Sequence, residues 1–180
     1  GSLSWQFSPI GNNDKKYFLG VFDGQGHAIR NLAIDSSHQF TGLFGYSRGT
    51  TIQNVVLDET CSVVNRLTSD KYLSFEGGII GYCDTDDGPC IIESCVNMAG
   101  VTFAGNTAKA SYTGGIAGLL VLTVNNAVIR NCANYGSVSS TGTSTGDAYI
   151  GGIAGSPQRS SSSSSTSYVS VHNCANYGTV

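Results

Sequence analysis

Three observations predict an all-β fold, a parallel β-helix of about five coils. The first is an internal repeat, because a four-residue glycine phrase recurs with its first glycines 36, 37 and 37 residues apart. The second is the segments between these phrases, which are short, rich in β-branched residues and bounded by Gly, Asn, Ser and Thr. The third is the composition of 24 Gly, 3 Pro and 12% charged residues. A fixed period of this length is typical of a stacked array, in which no unit buries its apolar face alone.

The glycine phrases mark equivalent corners of successive coils. They lie at residues 42–45, 78–81, 115–118 and 152–155. A further glycine precedes the phrase at Gly77, Gly114 and Gly151, where a tight corner requires either a positive φ or close approach of neighbouring coils. A phosphate-binding loop would need a strand-to-helix context and usually a lysine, and the sequence provides neither.

A second phrase follows each glycine phrase and predicts columns of equivalent residues. It lies at residues 52–55, 92–95, 129–132 and 171–174, with an earlier relative at 29–32. Because stacked parallel strands lie about 4.8 Å apart, each position of the phrase becomes a column along the solenoid. The columns are a buried one of Ile29, Ile52, Ile92, Ile129 and Val171, an outward one of Arg30, Gln53, Glu93, Arg130 and His172, a polar one of Asn31, Asn54, Ser94, Asn131 and Asn173, and a second buried one of Leu32, Val55, Cys95, Cys132 and Cys174. We expect a bend at the polar column, where each amide can bond to the next rung.

The composition also limits the domain count and the partners. An apolar content of 40% in 180 residues is enough for one sizeable core. A net charge of −3 gives no basic surface for nucleic acid, and no apolar run approaches the roughly 18 residues that span a bilayer. We expect a cloning scar at residues 1–2, an N-terminal cap segment at 3–17 and a repeat domain at 18–180. Because the chain stops directly after a repeat phrase, we interpret it as a fragment of a longer protein.

Several of these phrases together resemble the GLUG-repeat proteins. They are FLGVFDGQGHAIRNL at residues 18–32, TGLFGY at 41–46, and the later GGIAG and NCANYG phrases, so the resemblance runs from about residue 18 to the end. It implies a right-handed parallel β-helix in a secreted or surface-attached microbial protein, often large and adhesin-like. It implies no defined catalytic residues. The long loops at 64–75, 84–89 and 156–168 depart from the family pattern.

The six cysteines divide into repeated and unrepeated positions. Cys61 follows Val55 by the same interval that separates Val101, Val138 and Val180 from their column cysteines, so we place it in the core with them. Cys83 and Cys90 have no counterparts in other repeats and flank a loop, which favours a disulfide, with a buried thiol at Cys83 as the alternative. No set of Cys and His at ligand spacing indicates zinc.

The loop between these two cysteines contains the best metal candidate. Asp84, Asp86 and Asp87 crowd three carboxylates near a glycine, and hard oxygen ligands of this kind can bind calcium. The segment lacks the length and the distal glutamate of a helix-loop-helix calcium site. A solvated polar turn is therefore the favoured interpretation, with calcium as the alternative, and we expect no cofactor.

The residues that could support catalysis are few and scattered. His27, His38 and His172 have no nucleophile motif around them, and Asp58 and Glu59 point to opposite faces if they lie on a strand. We therefore expect no enzyme. The alternative is a carbohydrate-active domain, a polysaccharide lyase or glycoside hydrolase, which would need clustered carboxylates on one exposed face.

Aromatic residues provide the candidates for binding. Phe75, Tyr112 and Tyr149 form a column that could stack on sugars, but their even offset from the core isoleucines of the glycine phrases places them in the core. Tyr135 and Tyr177, in Asn-Tyr-Gly turns, are the better candidates for exposed stacking. The sequence thus predicts a structural or adhesive segment at the cell surface or outside the cell. Its expected partners are a glycan or a host surface protein, together with neighbouring domains of the parent chain.

Overall fold

A computed structural model describes residues 7–160 and 166–180, and within these residues all regular secondary structure is β-strand. The cloning scar expected at residues 1–2 lies outside the described residues. The described part contains no helix that is long and apolar enough to cross a membrane.

The strands follow one another around the solenoid, and each coil repeats the set before it. The first coil contains β1 (Phe18–Asp23), β2 (Ala28–Ile29), β3 (Ala33–Ser36) and β4 (Phe40–Thr41). The second contains β5 (Phe44–Gln53), β6 (Val56–Leu57), β7 (Ser62–Asn65), β8 (Thr68–Ser69) and β9 (Ser74–Gly77). The third contains β10 (Ile80–Asp84), β11 (Cys90–Glu93), β12 (Val96–Asn97), β13 (Gly100–Phe103), β14 (Asn106–Thr107) and β15 (Ser111–Gly114).

The last two coils continue the same order. The fourth contains β16 (Ala117–Leu122), β17 (Ala127–Arg130), β18 (Ala133–Asn134), β19 (Val138–Ser140), β20 (Thr143–Ser144) and β21 (Ala148–Gly151). The fifth contains β22 (Ala154–Arg159), β23 (Val169–His172) and β24 (Ala175–Asn176). The strand β5 is continuous where later coils have two strands separated by a loop.

Strands pair in parallel with their equivalents one coil away, which gives five sheets along the solenoid. Their orders are β22-β16-β10-β5-β11-β17-β23 with β1 also on β5, β2-β6-β12-β18-β24, β3-β7-β13-β19, β8-β14-β20 and β4-β9-β15-β21. This architecture confirms the predicted parallel β-helix. Among the described residues only one sheet has five single-strand rungs, and three coils carry strands in every sheet, so the predicted count of about five is slightly high for complete coils.

The described part of the N-terminal segment covers the first coil. The N–H of Ile10 donates to the carbonyl of Leu43 at 3.0 Å, and its own carbonyl accepts from the N–H of Gly45 at 2.9 Å. Phe7 also packs against the central core. These contacts satisfy backbone groups on β5 that would otherwise form an open edge.

The predicted register of the columns is correct in the later coils and wrong in the first. Val171, which is predicted to be buried, is instead 43% exposed, because β23 is the last strand of its sheet. Ile52, Ile92 and Ile129 are aligned and fully buried, but the residue below them is Phe22 rather than Ile29. The turn between β1 and β2 has two more residues than its equivalent after β5, so the 29–32 phrase falls one sheet later. Ile29 pairs with Leu57, and the neighbouring Arg30 forms an ion pair with Asp58 at 3.5 Å instead of joining the Gln53 column.

The bend predicted at the polar column is confirmed by its backbone. Its members Asn54, Ser94, Asn131 and Asn173 have φ values of 52–55°, a left-handed conformation that Asn tolerates better than most residues. Asn31 also has a φ of 54°, but it belongs to a different corner.

The amide ladder runs through a different column from the one predicted. Asn97 Nδ2 donates to Asn134 Oδ1 at 2.8 Å, and Asn134 Nδ2 donates to Asn176 Oδ1 at 2.8 Å. Asn97 and Asn134 are fully buried, and each bonds to both its own turn and the next rung, whereas Asn176 in the last rung is exposed. The signal for them in the sequence is the Asn of the Asn-Tyr-Gly phrase.

Close approach rather than positive φ explains the glycines of the repeated phrase. A Cβ on Gly114 would lie 1.9 Å from the carbonyl oxygen of Ala117 in the same turn. A Cβ on Gly115 would lie 2.3 Å from Cγ of Asn134, so the ladder amide occupies the space that a side chain would need. The glycine phrase and the Asn-Tyr-Gly turn are therefore packed against each other across the interior.

Cys61 is buried as predicted, but in another column. Val63, not Cys61, pairs with Val101, which in turn pairs with Val138. The turn between β6 and β7 has two more residues than the turn between β12 and β13, and Asp58 closes it by accepting the Thr60 N–H at 2.9 Å. Counting six residues from Val55 therefore stops two residues short of the true equivalent in this coil.

Burial and exposure at adjacent positions of β17 give a stability prediction. We expect Ile129→Ala to lower the free energy of unfolding by about 2–5 kcal/mol, because Ile129 is fully buried and the substitution leaves a cavity. Glu93→Ala, which removes the partner of Arg130 on the surface, should cost at most about 1 kcal/mol. Urea denaturation of both variants measures the difference, and equal losses would contradict the register.

Candidate functional site

Tyr135 and Tyr177 form a stacked pair on the outer surface. Their ring centroids are 4.8 Å apart with an interplanar angle of 14°, and the residues are 52% and 67% exposed. They follow the paired strands β18 and β24, which explains their alignment on adjacent coils. Met98, half-buried, precedes them in the third coil. The structure therefore brings both predicted binding residues together and leaves them open to solvent.

Main-chain and amide hydrogen bonds hold the turns that carry these rings. The N–H of Tyr135 donates to the carbonyl of Asn97 at 2.7 Å, and the N–H of Tyr177 donates to the carbonyl of Asn134 at 2.7 Å. Asn134 Nδ2 also donates to the carbonyl of Gly136 at 2.8 Å, which closes the turn from inside. The rings thus sit on a backbone that the interior ladder fixes.

The three aspartates of the acidic loop surround a guanidinium. Arg48, one coil earlier, lies 3.2 Å from Asp84, 2.6 Å from Asp86 and 3.3 Å from Asp87. The pairing of β5 with β10 places Arg48 directly beside Asp84, so the register determines this contact. Within the described residues no group of three His, Cys, Asp or Glu side chains is arranged to hold a metal ion.

Tyr46 extends the same network towards the interior. Its hydroxyl donates to Asp84 Oδ2 at 2.5 Å, and burial together with this hydrogen bond holds the pKa of the phenol above its ordinary value. The Arg48 guanidinium also lies 5.1 Å from the ring centroid of Tyr17 in the N-terminal segment. The acidic loop is thereby tied to the neighbouring coil and to the segment that covers it.

Cys83 and Cys90 are joined in a disulfide that closes this loop. The bond spans seven residues between β10 and β11, with Cα atoms 6.6 Å apart, and both residues are fully buried. The free cysteines are Cys61, Cys95, Cys132 and Cys174, of which only the last is not buried.

Glu76 is a buried carboxyl group that the sequence did not indicate. It lies in β9, fully buried, where Oε1 accepts from Asn65 Nδ2 at 2.9 Å and Oε2 accepts from Thr113 Oγ1 at 3.0 Å. The hydroxyl of Ser74 donates to Oε1 as well. Burial raises the pKa of Glu76 to about 8, although the three hydrogen bonds oppose the shift.

The aromatic column predicted for the core is buried at Phe75 and Tyr112, as predicted, but in a cluster of its own beside the main core, and Tyr149 is 37% exposed. Phe75, Tyr112 and Tyr149 stack with centroid distances of 5.4 and 4.8 Å, but the first two belong to a separate cluster with Tyr46 and Leu119. The physical reason is the corner after β9, where Ile79 and Ile80 are both buried in the main core and interrupt the alternation of faces. Phe40 extends the stack by one coil.

The histidines and the Asp58–Glu59 pair considered for catalysis belong to different turns and strands. His27, His38 and His172 are all exposed, and Asp58 is engaged by Arg30 and by its own turn. Glu93 is likewise paired with Arg130, whose Nε donates to Glu93 Oε2 at 2.8 Å.

Comparison with known proteins identifies the fold but no family. No protein-family model matches the chain, and no curated protein is significantly similar to it. Among solved structures, the fold is similar to that of a Bacteroides ovatus protein described as a "putative immunoglobulin A1 protease", with a TM-score of 0.60 and 21% sequence identity. The alignment covers 99% of this chain and 56% of that protein, so this chain spans little more than half of its length. At this identity the similarity concerns the fold alone.

The buried Glu76 predicts a specific pH dependence. Below about pH 4.5 both states are protonated; between about 4.5 and 8 the unfolded carboxyl ionises while the folded one does not, so stability falls as pH rises. The slope should be about 1 kcal/mol per pH unit and should disappear in Glu76→Gln, which can still accept from Asn65 and donate to Thr113. Unfolding free energies from urea titrations across this range measure it. Glu93→Gln is the surface control, and parallel curves for all three proteins would contradict the assignment.

The thiols give a second prediction for this region. In the folded protein we expect no labelling of Cys95 and Cys132 by a maleimide and faster labelling of Cys174, which is half-buried. Cys83 and Cys90 should react only after reduction. Intact mass before and after denaturation and reduction distinguishes the classes, and rapid native labelling of Cys95 would show that the column is not buried.

Proposed function

We propose that this chain is a non-catalytic structural and adhesive segment of a secreted or surface-attached microbial protein, with Tyr135 and Tyr177 as its contact for glycans or host surface proteins. The observation that carries this proposal is the exposed tyrosine stack on a rigid turn. Aromatic side chains with a polar tip are enriched where proteins contact partners, because they provide area at a small loss of side-chain entropy.

The disulfide supports the proposed location. A disulfide between Cys83 and Cys90 persists in oxidising surroundings and is rare in proteins of the reducing cytosol. The GLUG-like phrases favour the same location. In this proposal the repeats belong to a microbial surface protein even though no family model matches them.

The surroundings of the carboxylates support a non-catalytic role. Glycoside hydrolysis requires two carboxyl groups on one accessible face, about 5–9.5 Å apart. In the described chain Asp84, Asp86 and Asp87 are each ion-paired with Arg48, and Glu76 is buried without access to solvent. We propose that this chain also lacks the protease activity that the description of the Bacteroides ovatus protein names. The three histidines of this chain are exposed and lie in different turns and strands.

Binding by the tyrosine pair is tested with the protein displayed in several copies. We expect weak binding to a subset of arrayed glycans or to immobilised mucin, detectable when the biotinylated protein is multivalent on streptavidin. The double variant Tyr135→Ser/Tyr177→Ser should reduce the apparent affinity by roughly 5-fold or more. Tyr168→Ser, at an exposed tyrosine that is 54% accessible elsewhere, is the matched control.

The same protein is assayed for turnover on plant, fungal and bacterial polysaccharides with and without calcium. We expect no release of reducing sugar. Release that is abolished by replacing Asp84, Asp86 or Asp87 would instead establish the carbohydrate-active alternative.

In the binding assay, loss of glycan or mucin binding in Tyr168→Ser but not in Tyr135→Ser/Tyr177→Ser would contradict the assigned contact.

A further inference from the structure

A groove runs along the outer corner between β9 and β10. Two adjoining hollows form it, with volumes of about 330 and 410 Å³, and Asp14, Gln39 and Phe40 line both. These volumes are in the range of ordinary ligand sites. The groove lies on a different side of the solenoid from the Tyr135–Tyr177 turns, which follow β18 and β24.

The floor of the groove is aromatic and fixed. Phe40 and Phe75 stack at 5.5 Å with an interplanar angle of 8°, and Tyr82 stands across them at 59° to each ring. Tyr46 and Leu119 complete the cluster. Because β9 and β10 are each paired on both sides, their main chains offer no free strand edge to an incoming peptide.

The rim is polar and its groups remain available. Gln39 is half-buried and Asp14 is exposed, and in the described structure neither side chain is hydrogen-bonded to the protein. The Tyr82 hydroxyl is also free, whereas Gln158 Nε2 donates to the hydroxyl of Tyr112 at 3.3 Å. A purely apolar ligand would desolvate these groups without replacing their hydrogen bonds with water, which opposes its binding.

The charge of the lining selects against an anionic ligand. Among the described residues that line the two hollows there is no lysine or arginine, and Asp14 is the one carboxylate. An acidic sugar or a phosphate would therefore meet one carboxylate and no lysine or arginine, and His38 is the one described lining residue that can carry a positive charge.

From this floor, rim and charge we propose that the groove binds a neutral oligosaccharide. Sugar rings have an apolar C–H face, and the half-buried side chains of Tyr82, Leu73 and Val121 offer it an apolar surface in the groove. The buried rings of Phe40 and Phe75 pack against this surface. The sugar hydroxyls both donate and accept, which matches the planar amide of Gln39, the carboxylate of Asp14 and the phenol of Tyr82. The single carboxylate makes the groove a binding site and not a hydrolytic one.

The test is a titration of the ¹⁵N-labelled chain, followed by amide chemical shifts, with cellohexaose, xylohexaose, mannohexaose and maltohexaose. At least one should shift the amides of Phe40, Phe75 and Tyr82. Gln39→Ala and Tyr82→Phe should each weaken that binding by about 5-fold, since each removes one hydrogen bond and keeps the floor. Their amide spectra confirm folding.

Three controls make the result decisive. Tyr135→Ser/Tyr177→Ser should bind at the groove unchanged, so failure of the proposed tyrosine contact and failure of the groove are separate results. Tri-galacturonate and decaproline should leave the groove amides unshifted. The inference is overturned if none of the four neutral hexasaccharides shifts these amides, if affinity is unchanged in both groove variants, or if decaproline or the acidic sugar binds there in their place.

Discussion

The constraint on which the structure depends is hydrogen bonding from each coil to the next. The N–H of Phe44 donates to the carbonyl of Ile79 at 2.9 Å, Ile79 to Ile116 at 3.1 Å, and Ile116 to Ile153 at 2.9 Å. Such bonds fix the register between coils, so each side chain has its equivalents one coil above and below as permanent neighbours. A residue type that occupies a column must therefore pack favourably against copies of itself. Charged residues are accordingly absent from the buried positions described here, apart from Glu76 and Asp84.

Stacking satisfies most polar groups of the described interior, and the buried hydroxyls of Ser47 and Ser111 are the exceptions that lack a hydrogen-bond partner. The amides of Asn97, Asn134 and Asn176 bond to one another, and Gly115 leaves the space that the Asn134 side chain fills. Glu76 is different because its neighbours in the column are Thr41 and Thr113 rather than copies of itself. A carboxylate stacked on a carboxylate would repel its neighbour, whereas a single protonated glutamic acid among hydroxyl and amide groups is tolerated. The structure thus accommodates one exception where a ladder of the same residue would fail.

The sequence predicts the fold class and most of the register because the third and fourth coils are close copies. Ile92 over Ile129 and Cys95 over Cys132 follow directly from the repeat period. Prediction from the sequence fails where a turn has two more residues than its equivalents, so that residues counted from the repeat phrase no longer align. These turns are 24–27 in the first coil and 58–61, which ends at Cys61, in the second. Prediction also fails across corners, where two consecutive buried residues interrupt the alternation and place Phe75 in a second buried cluster instead of the main core.

The candidate sites show the same division between local and cross-coil information. The exposure of Tyr135 and Tyr177 was predictable, because both lie in a short turn with a recognisable sequence. The partner of the acidic loop was not, since Arg48 is more than 30 residues away in sequence and reaches Asp84 only through the pairing of β5 with β10. The groove could not be predicted for a similar reason, because the residues that line it come from different coils and lie together only in the folded chain.

The geometry of stacked rings also determines what each surface can bind. Tyr135 and Tyr177 cover part of each other's faces at 4.8 Å, so a ligand meets mainly ring edges and one outer face. Each such contact is small, and affinity then depends on how many coils or copies present it together. In the groove most of the aromatic residues are buried by one another, so the proposed ligand would be enclosed between the half-buried Tyr82 and the polar rim. Enclosure favours a defined short segment of a glycan, whereas the exposed stack favours loose contact with an extended surface.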